Sequence, residues 1–231
     1  MCFSPEADFA AAAVVGVVGV ETLRQVGTRR ELIVGLLPLL FAAHQLTEGF
    51  VWLGLRGDVS SGLGNTAKDA YVVYAQAVLP IIVPLGFLLI EPSRRHRRWQ
   101  APFAVLGAVL GAYLLWQVTQ YPINAQEHAH CIAYSTHTPL GTQSAVAYVL
   151  ATCAPALLSS RRYLQWFGVA NLVGIAAAVS LRDVDFTSVW CVYAALVSVL
   201  ILEHFRRRRA VEIHDKALGF NFLRAGKKRG T

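Results

Sequence analysis

His44 and Glu48 stand four residues apart in the stretch LLPLLFAAHQLTEGFVWLGL, 36–55, one turn apart if that stretch is helical. An imidazole beside a carboxylate can relay a proton, share a metal ion or grip a polar ligand. The plainer reading is that the two pair with each other or with neighbouring helices as structural glue. The stretch is long enough to cross a bilayer. An ionisable group placed there is costly without a partner or a water-filled cavity, which makes Glu48 a functional candidate by default. On a helical wheel Phe41, Gln45, Glu48 and Trp52 share one face, with His44 at its edge. A second group of reactive types lies in 120–142, which has Glu127, His128, His130, Cys131 and His137 but no lysine or arginine. The imidazoles of His128 and His130 and the thiol of Cys131 suit zinc or copper, although the spacing matches no standard site. A disulfide among Cys2, Cys131 and Cys191 competes for that thiol, and a solvated histidine loop is the bland alternative.

The elements that must position these residues are membrane helices. The chain has 231 residues, 55% of them apolar and 15% charged, with the apolar residues in long blocks. Windows of about 20 residues predict seven spans: Pro5–Val26, Glu31–Leu55, Ala70–Ile90, Gln100–Thr119, Gln143–Ser159, Tyr163–Leu181 and Phe186–Phe205. The expected architecture is an all-α, polytopic membrane helix bundle over residues 1–209, followed by a basic tail, 210–231. Val211, Ile213, Leu218, Phe220 and Phe222 in and beside that tail suit an amphipathic helix lying on the inner membrane surface.

Lysine and arginine accumulate on the cytoplasmic side of membrane proteins. Alternating the loops puts 18 of the 21 basic residues on one side, and only Arg56, Lys68 and Arg182 on the other. The N-terminus is therefore expected outside and the C-terminus inside. This placement and attraction to an anionic inner leaflet account for the net charge of +7, so no nucleic acid partner is required. The start lacks a basic n-region and a cleavage motif, so the first span is expected to serve as the insertion signal.

Depth along the spans gathers further residues in the outer half. With span two rising outward, Glu48 lies about 10 Å below Leu55 at 1.5 Å per residue. Tyr74 and Gln76 of span three, Trp116 and Gln117 of span four, and Trp190 and Cys191 of span seven share that layer. Pro80 removes a backbone donor and should loosen the carbonyl of Gln76, which opens space beside Glu48 or simply kinks the packing. Gly107 and Gly111 form a GxxxG pair expected to pack closely on a neighbour.

The layer predicts an outward-facing pocket for a small molecule of unknown identity, contacted by Gln45, Glu48, Trp52, Tyr74, Gln76, Trp116, Gln117 and Trp190, in a sensor or a permease component. The alternative is a membrane-embedded, metal-assisted hydrolase of a lipid. There Glu48 would be the general base, with His44 or the His128–Cys131 cluster holding zinc or copper. A structural or assembly role is the third reading.

Met1-Cys2-Phe3-Ser4, HQLTEGFVW in span two, Leu158-Ser159-Ser160-Arg161 followed by Phe167-Gly168, and SVWCVYAALVSV in span seven together resemble an uncharacterised family of bacterial integral membrane proteins that begin Met-Cys-Phe-Ser. The resemblance runs over most of the chain and implies a multi-pass protein of the bacterial cytoplasmic membrane, with no established activity. It also implies glutamine as a frequent alternative at His44 and retention of Glu48, which moves weight from His44 to Glu48 and Trp52.

Overall fold

The computed structural model describes residues 4–128, 131–137, 139–180 and 194–211, with backbone alone at His128, Cys131 and 177–180. Helix α1 (Pro5–Gln25) starts where the Ser4 hydroxyl accepts a hydrogen bond from the Ala7 amide at 3.3 Å and Pro5 fills a position that needs no donor. A short turn follows, in which the Glu31 carboxylate accepts from the Gly27 and Thr28 amides at 3.1 and 3.2 Å. Helix α2 (Leu32–Arg56) ends at Gly57, whose φ of 80° suits glycine.

Helices α3 (Ser61–Val73) and α4 (Leu79–Ile90) are joined without a break by a wide π-type turn, Tyr74–Val78. This rod begins nine residues before the Ala70 expected from hydropathy, because Ser60 caps it by accepting from the Leu63 amide. The wide turn sits immediately before Pro80. Proline has no amide to give Gln76, and the ladder widens so that Leu79 donates to the Tyr74 carbonyl. The Ala75 carbonyl instead accepts from the Tyr148 hydroxyl at 2.8 Å.

Helix α5 (Arg94–Gln120) leads into an antiparallel hairpin, β1 (Asn124–His128) and β2 (Cys131–Ser135), with Ala125 opposite Tyr134. The connection for which a solvated histidine loop is one reading thus carries a hairpin, because Ile132 and Tyr134 on β2 have apolar surface to bury. Helices α6 (Gly141–Leu157) and α7 (Arg162–Ser180) follow, and residues 194–211 form α8. The rods Arg29–Arg56, Ser61–Ile90 and Arg94–Gln120 are long and apolar enough to cross a membrane. The sequence expectations for Cys2, His130, Trp190, Cys191 and the tail beyond 211 fall outside the described residues, as do the side chains of His128 and Cys131.

Two apolar clusters hold the helices together. The larger joins Leu37 and Phe41 of α2, Val83 and Phe87 of α4, Phe167 of α7, and Val197, Ile201 and Phe205 of α8. The smaller packs Ile123 and Ile132 of the hairpin region against Trp52, Tyr71 and Val72. Close backbone approach needs glycine in two places. A Cβ at Gly54 would lie 2.6 Å from the Gly64 Cα, and a Cβ at Gly111 would lie 2.5 Å from the Ala77 carbonyl oxygen, while Gly107 meets the Pro80 carbonyl oxygen. The expected GxxxG pair therefore seats α5 on the wide turn and α4.

At the opposite end from the hairpin, contacts bring the basic segments together. Arg206 pairs with Glu21 at 3.7 Å, Arg208 with Glu31, and Arg209 donates to the Arg24 carbonyl at 2.6 Å. Arg207 pairs with Glu203 and lies 4.9 Å over the Tyr163 ring. Glu91, just past α4, is clasped by the α6–α7 connection: it accepts from the Ser159 hydroxyl, the Ser160 amide and the Ser160 hydroxyl at 2.9, 2.9 and 2.5 Å.

Candidate functional site

The buried seam of α1 runs Pro5, Asp8, Ala12, Val15, Gly19, Thr22, a spacing of three and four residues that faces a partner helix. Its packing partner is α2, whose buried residues include Phe41, His44, Gln45, Glu48, Val51 and Trp52. The face drawn on the helical wheel is thus the face turned inward. The seam puts Asp8 within electrostatic reach of Glu48. Both carboxylic side chains are 0% exposed, as is Trp52. The Phe9 ring occupies the space over Gly49, where a Cβ would lie 2.6 Å from it, and so closes one flank.

Rings close another flank. His44 stacks on Tyr71 with centroids 3.9 Å apart, Tyr71 stacks on Tyr134 of β2 at 4.6 Å, and Tyr74 lies 4.7 Å from His44. The hairpin is therefore part of the site. The Tyr71 hydroxyl hydrogen-bonds Glu48, and the Trp52 indole N–H is turned towards Asp8. Within ordinary hydrogen-bond geometry, however, neither Asp8 oxygen and not the Trp52 nitrogen has a partner among the described residues. The same holds for the hydroxyls of Tyr74 and Tyr134. The Arg56 guanidinium covers the Trp52 ring at 5.2 Å. The site therefore concentrates acidic side chains and hydrogen-bonding oxygens in an apolar, aromatic shell, where unmet polar groups are costly.

Of the residues expected in the pocket, Gln45, Glu48, Trp52 and Tyr74 come together, with His44 beside them. Gln76 instead donates to the Thr136 hydroxyl at 3.1 Å and ties the wide turn to the hairpin's end. Trp116 is 56% exposed on the outer surface of α5, and Gln117 is buried but donates to Tyr113 of its own helix at 2.9 Å. Depth along a span fixes height but not direction around the helix, which is why these two were grouped with Glu48. Trp190 is outside the described residues.

Asp8, Tyr71 and Tyr134 are the residues the sequence reading left out of the site. Asp8 resembles one more first-turn acid beside Glu6, yet its position on the three-and-four seam with Ala12 and Val15 was the available signal. No three histidine, cysteine, aspartate or glutamate side chains gather as a metal site among the described residues. Cys153 is buried and free.

A family model described as "Family of unknown function (DUF6629)" matches residues 1–216. No curated protein and no solved structure matches the chain.

Proposed function

The chain belongs to that family of unknown function, and we propose from its own residues that it binds a small molecule, for sensing or transport, at the acid and aromatic cluster around Glu48. In this reading it is a multi-pass protein of a bacterial cytoplasmic membrane. Seven spans lie in residues 1–209, with the N-terminus outside, the C-terminus inside and the cluster in the outer half. The 18 to 3 division of basic residues between alternate loops supports the orientation. The anionic inner leaflet then meets the arginines near α5 and at the end of α8.

The observation that carries the binding role is the fully buried pair of acids, Asp8 and Glu48, on two adjoining helices. Retaining two such groups in an apolar setting costs stability, and their neighbours Trp52, Tyr71 and Tyr74 have the composition of a ligand site rather than of plain helix packing. A thermal-shift screen of small molecules on purified protein in detergent tests this. Hits should lose their effect in Glu48→Gln and weaken in Trp52→Ala, while Trp116→Ala, on the exposed face of α5, should respond as wild type does. Hits that stabilise Glu48→Gln and Trp52→Ala fully would show that the ligand sits elsewhere.

A further inference from the structure

We propose that the ligand group held by this cluster is a cation, the ammonium of an organic amine seated between Asp8 and Glu48. The proposal rests on the small-molecule reading and narrows it to one chemical class.

Charge is the first argument. Asp8 is fully buried and forms no ion pair with a lysine, arginine or histidine among the described residues. A second acid, Glu48, lies within electrostatic reach of it. An anionic ligand would set a like charge against two adjoining acids in a low-dielectric setting, whereas a positive charge is of the sign that favours both.

Hydrogen bonding is the second argument. Both Asp8 oxygens and the Tyr134 hydroxyl are buried without partners among the described residues, and Tyr134 is within electrostatic reach of both acids. The fully buried Trp52 N–H, also without a partner, points to Asp8 but supplies one donor only. An ammonium group carries three donors and no acceptor, which matches this surplus of oxygens. A bare metal ion fits less well, because hard cations want six or more oxygens and no three acid, histidine or cysteine side chains are placed to hold one among the described residues.

Butylammonium chloride is the probe, measured by thermal unfolding of the full chain in detergent. The controls are sodium chloride at equal ionic strength and 1-pentanol, a neutral molecule of similar length. The wild-type midpoint should rise with the logarithm of amine concentration and not respond in this way to sodium or the alcohol. Asp8→Asn should bind the amine about tenfold or more weakly, the value of one charge-assisted hydrogen bond, while Glu6→Gln, an exposed acid on the same helix, should not. If Asp8→Asn does not fold, the wild-type contrast between amine, sodium and alcohol decides the matter alone. No saturable response to the amine, an equal response to sodium, or an undiminished response in folded Asp8→Asn would overturn the proposal. A neutral or anionic compound whose binding vanishes in Glu48→Gln would overturn the ammonium and keep the small-molecule site. If no compound's binding depends on Glu48, both readings fall.

Discussion

Removing the carboxylate of Glu91 should loosen the junction between α4 and the α6–α7 connection by an amount that its partners define. Its two oxygens accept from the Ser159 hydroxyl and Ser160 amide at 2.9 Å each, from the Ser160 hydroxyl at 2.5 Å and from the Ser93 amide at 3.1 Å. Ser159 is buried, so in Glu91→Ala its hydroxyl loses its acceptor without gaining water, at about 1–3 kcal/mol. Ser160 is exposed and Ser93 half-buried, so water replaces much of what they lose, and their three bonds add about 1 kcal/mol together. The sum is about 2–4 kcal/mol for Glu91→Ala, and about 1 kcal/mol for Glu91→Gln, which keeps one acceptor oxygen.

Acidity supplies a separate signature. Burial opposes the charge on Glu91 and would raise its pKa, but the bonds from Ser160, Ser93 and Ser159 outweigh burial and hold the carboxyl below its ordinary range. A carboxyl depressed in the folded state contributes stability that is present above its unfolded pKa and lost as pH falls through the folded value. The wild-type advantage over Glu91→Gln should therefore be full at neutral pH and close as the pH drops below the usual carboxylate range. Equilibrium unfolding in detergent across that range measures it. Parallel curves for wild type and Glu91→Gln, or a Glu91→Ala variant within about 0.5 kcal/mol of wild type, would refute the reasoning.

Gly107→Ala should cost about 1–3 kcal/mol by driving a methyl into the Pro80 carbonyl. Gly62→Ala, with nothing within 4 Å of the new Cβ, should be neutral or stabilising by up to about 1 kcal/mol; thermal unfolding of the two variants side by side checks both. Arg208→Ala should leave the buried Glu31 carboxylate without its guanidinium and cost about 3 kcal/mol, whereas Arg206→Ala, in an exposed pair with Glu21, should cost less than about 1 kcal/mol in the same assay.

The helices were legible in the sequence because each is an apolar block closed by punctuation: Ser4-Pro5 before α1, Gly57 after α2, Ser93 before α5. The inward face of α2 was legible as well, since four residues at helical spacing settle a direction as well as a height. What escaped the sequence depends on partners far along the chain. Glu91 looks like an ordinary acid before a basic run until Ser159, 68 residues later, is beside it. Gln76 looks free to face Glu48 until Thr136, 60 residues on, accepts its hydrogen bond. The hairpin escaped because strands so short, the first of them largely polar, gain their order from the Tyr71 ring beneath Tyr134 and not from their own alternation.

The grip of Arg208 and Arg209 on the α1–α2 corner has a consequence for how the protein is made. Arg209 meets the carbonyl of a residue 185 positions earlier. A ribosome adding about 5–20 residues per second leaves that corner waiting on the order of ten to forty seconds for α8. Throughout that interval the Glu31 carboxylate lacks Arg208, and the Gly35 face of α2, already packed by Val26, lacks the Phe205 ring that later lies beside it. A nascent chain stalled before residue 205 would leave the Glu31 carboxylate and the Gly35 face of that corner uncovered by α8. Arrival of α8 covers both together, so that corner closes only once residues 205–209 have been made.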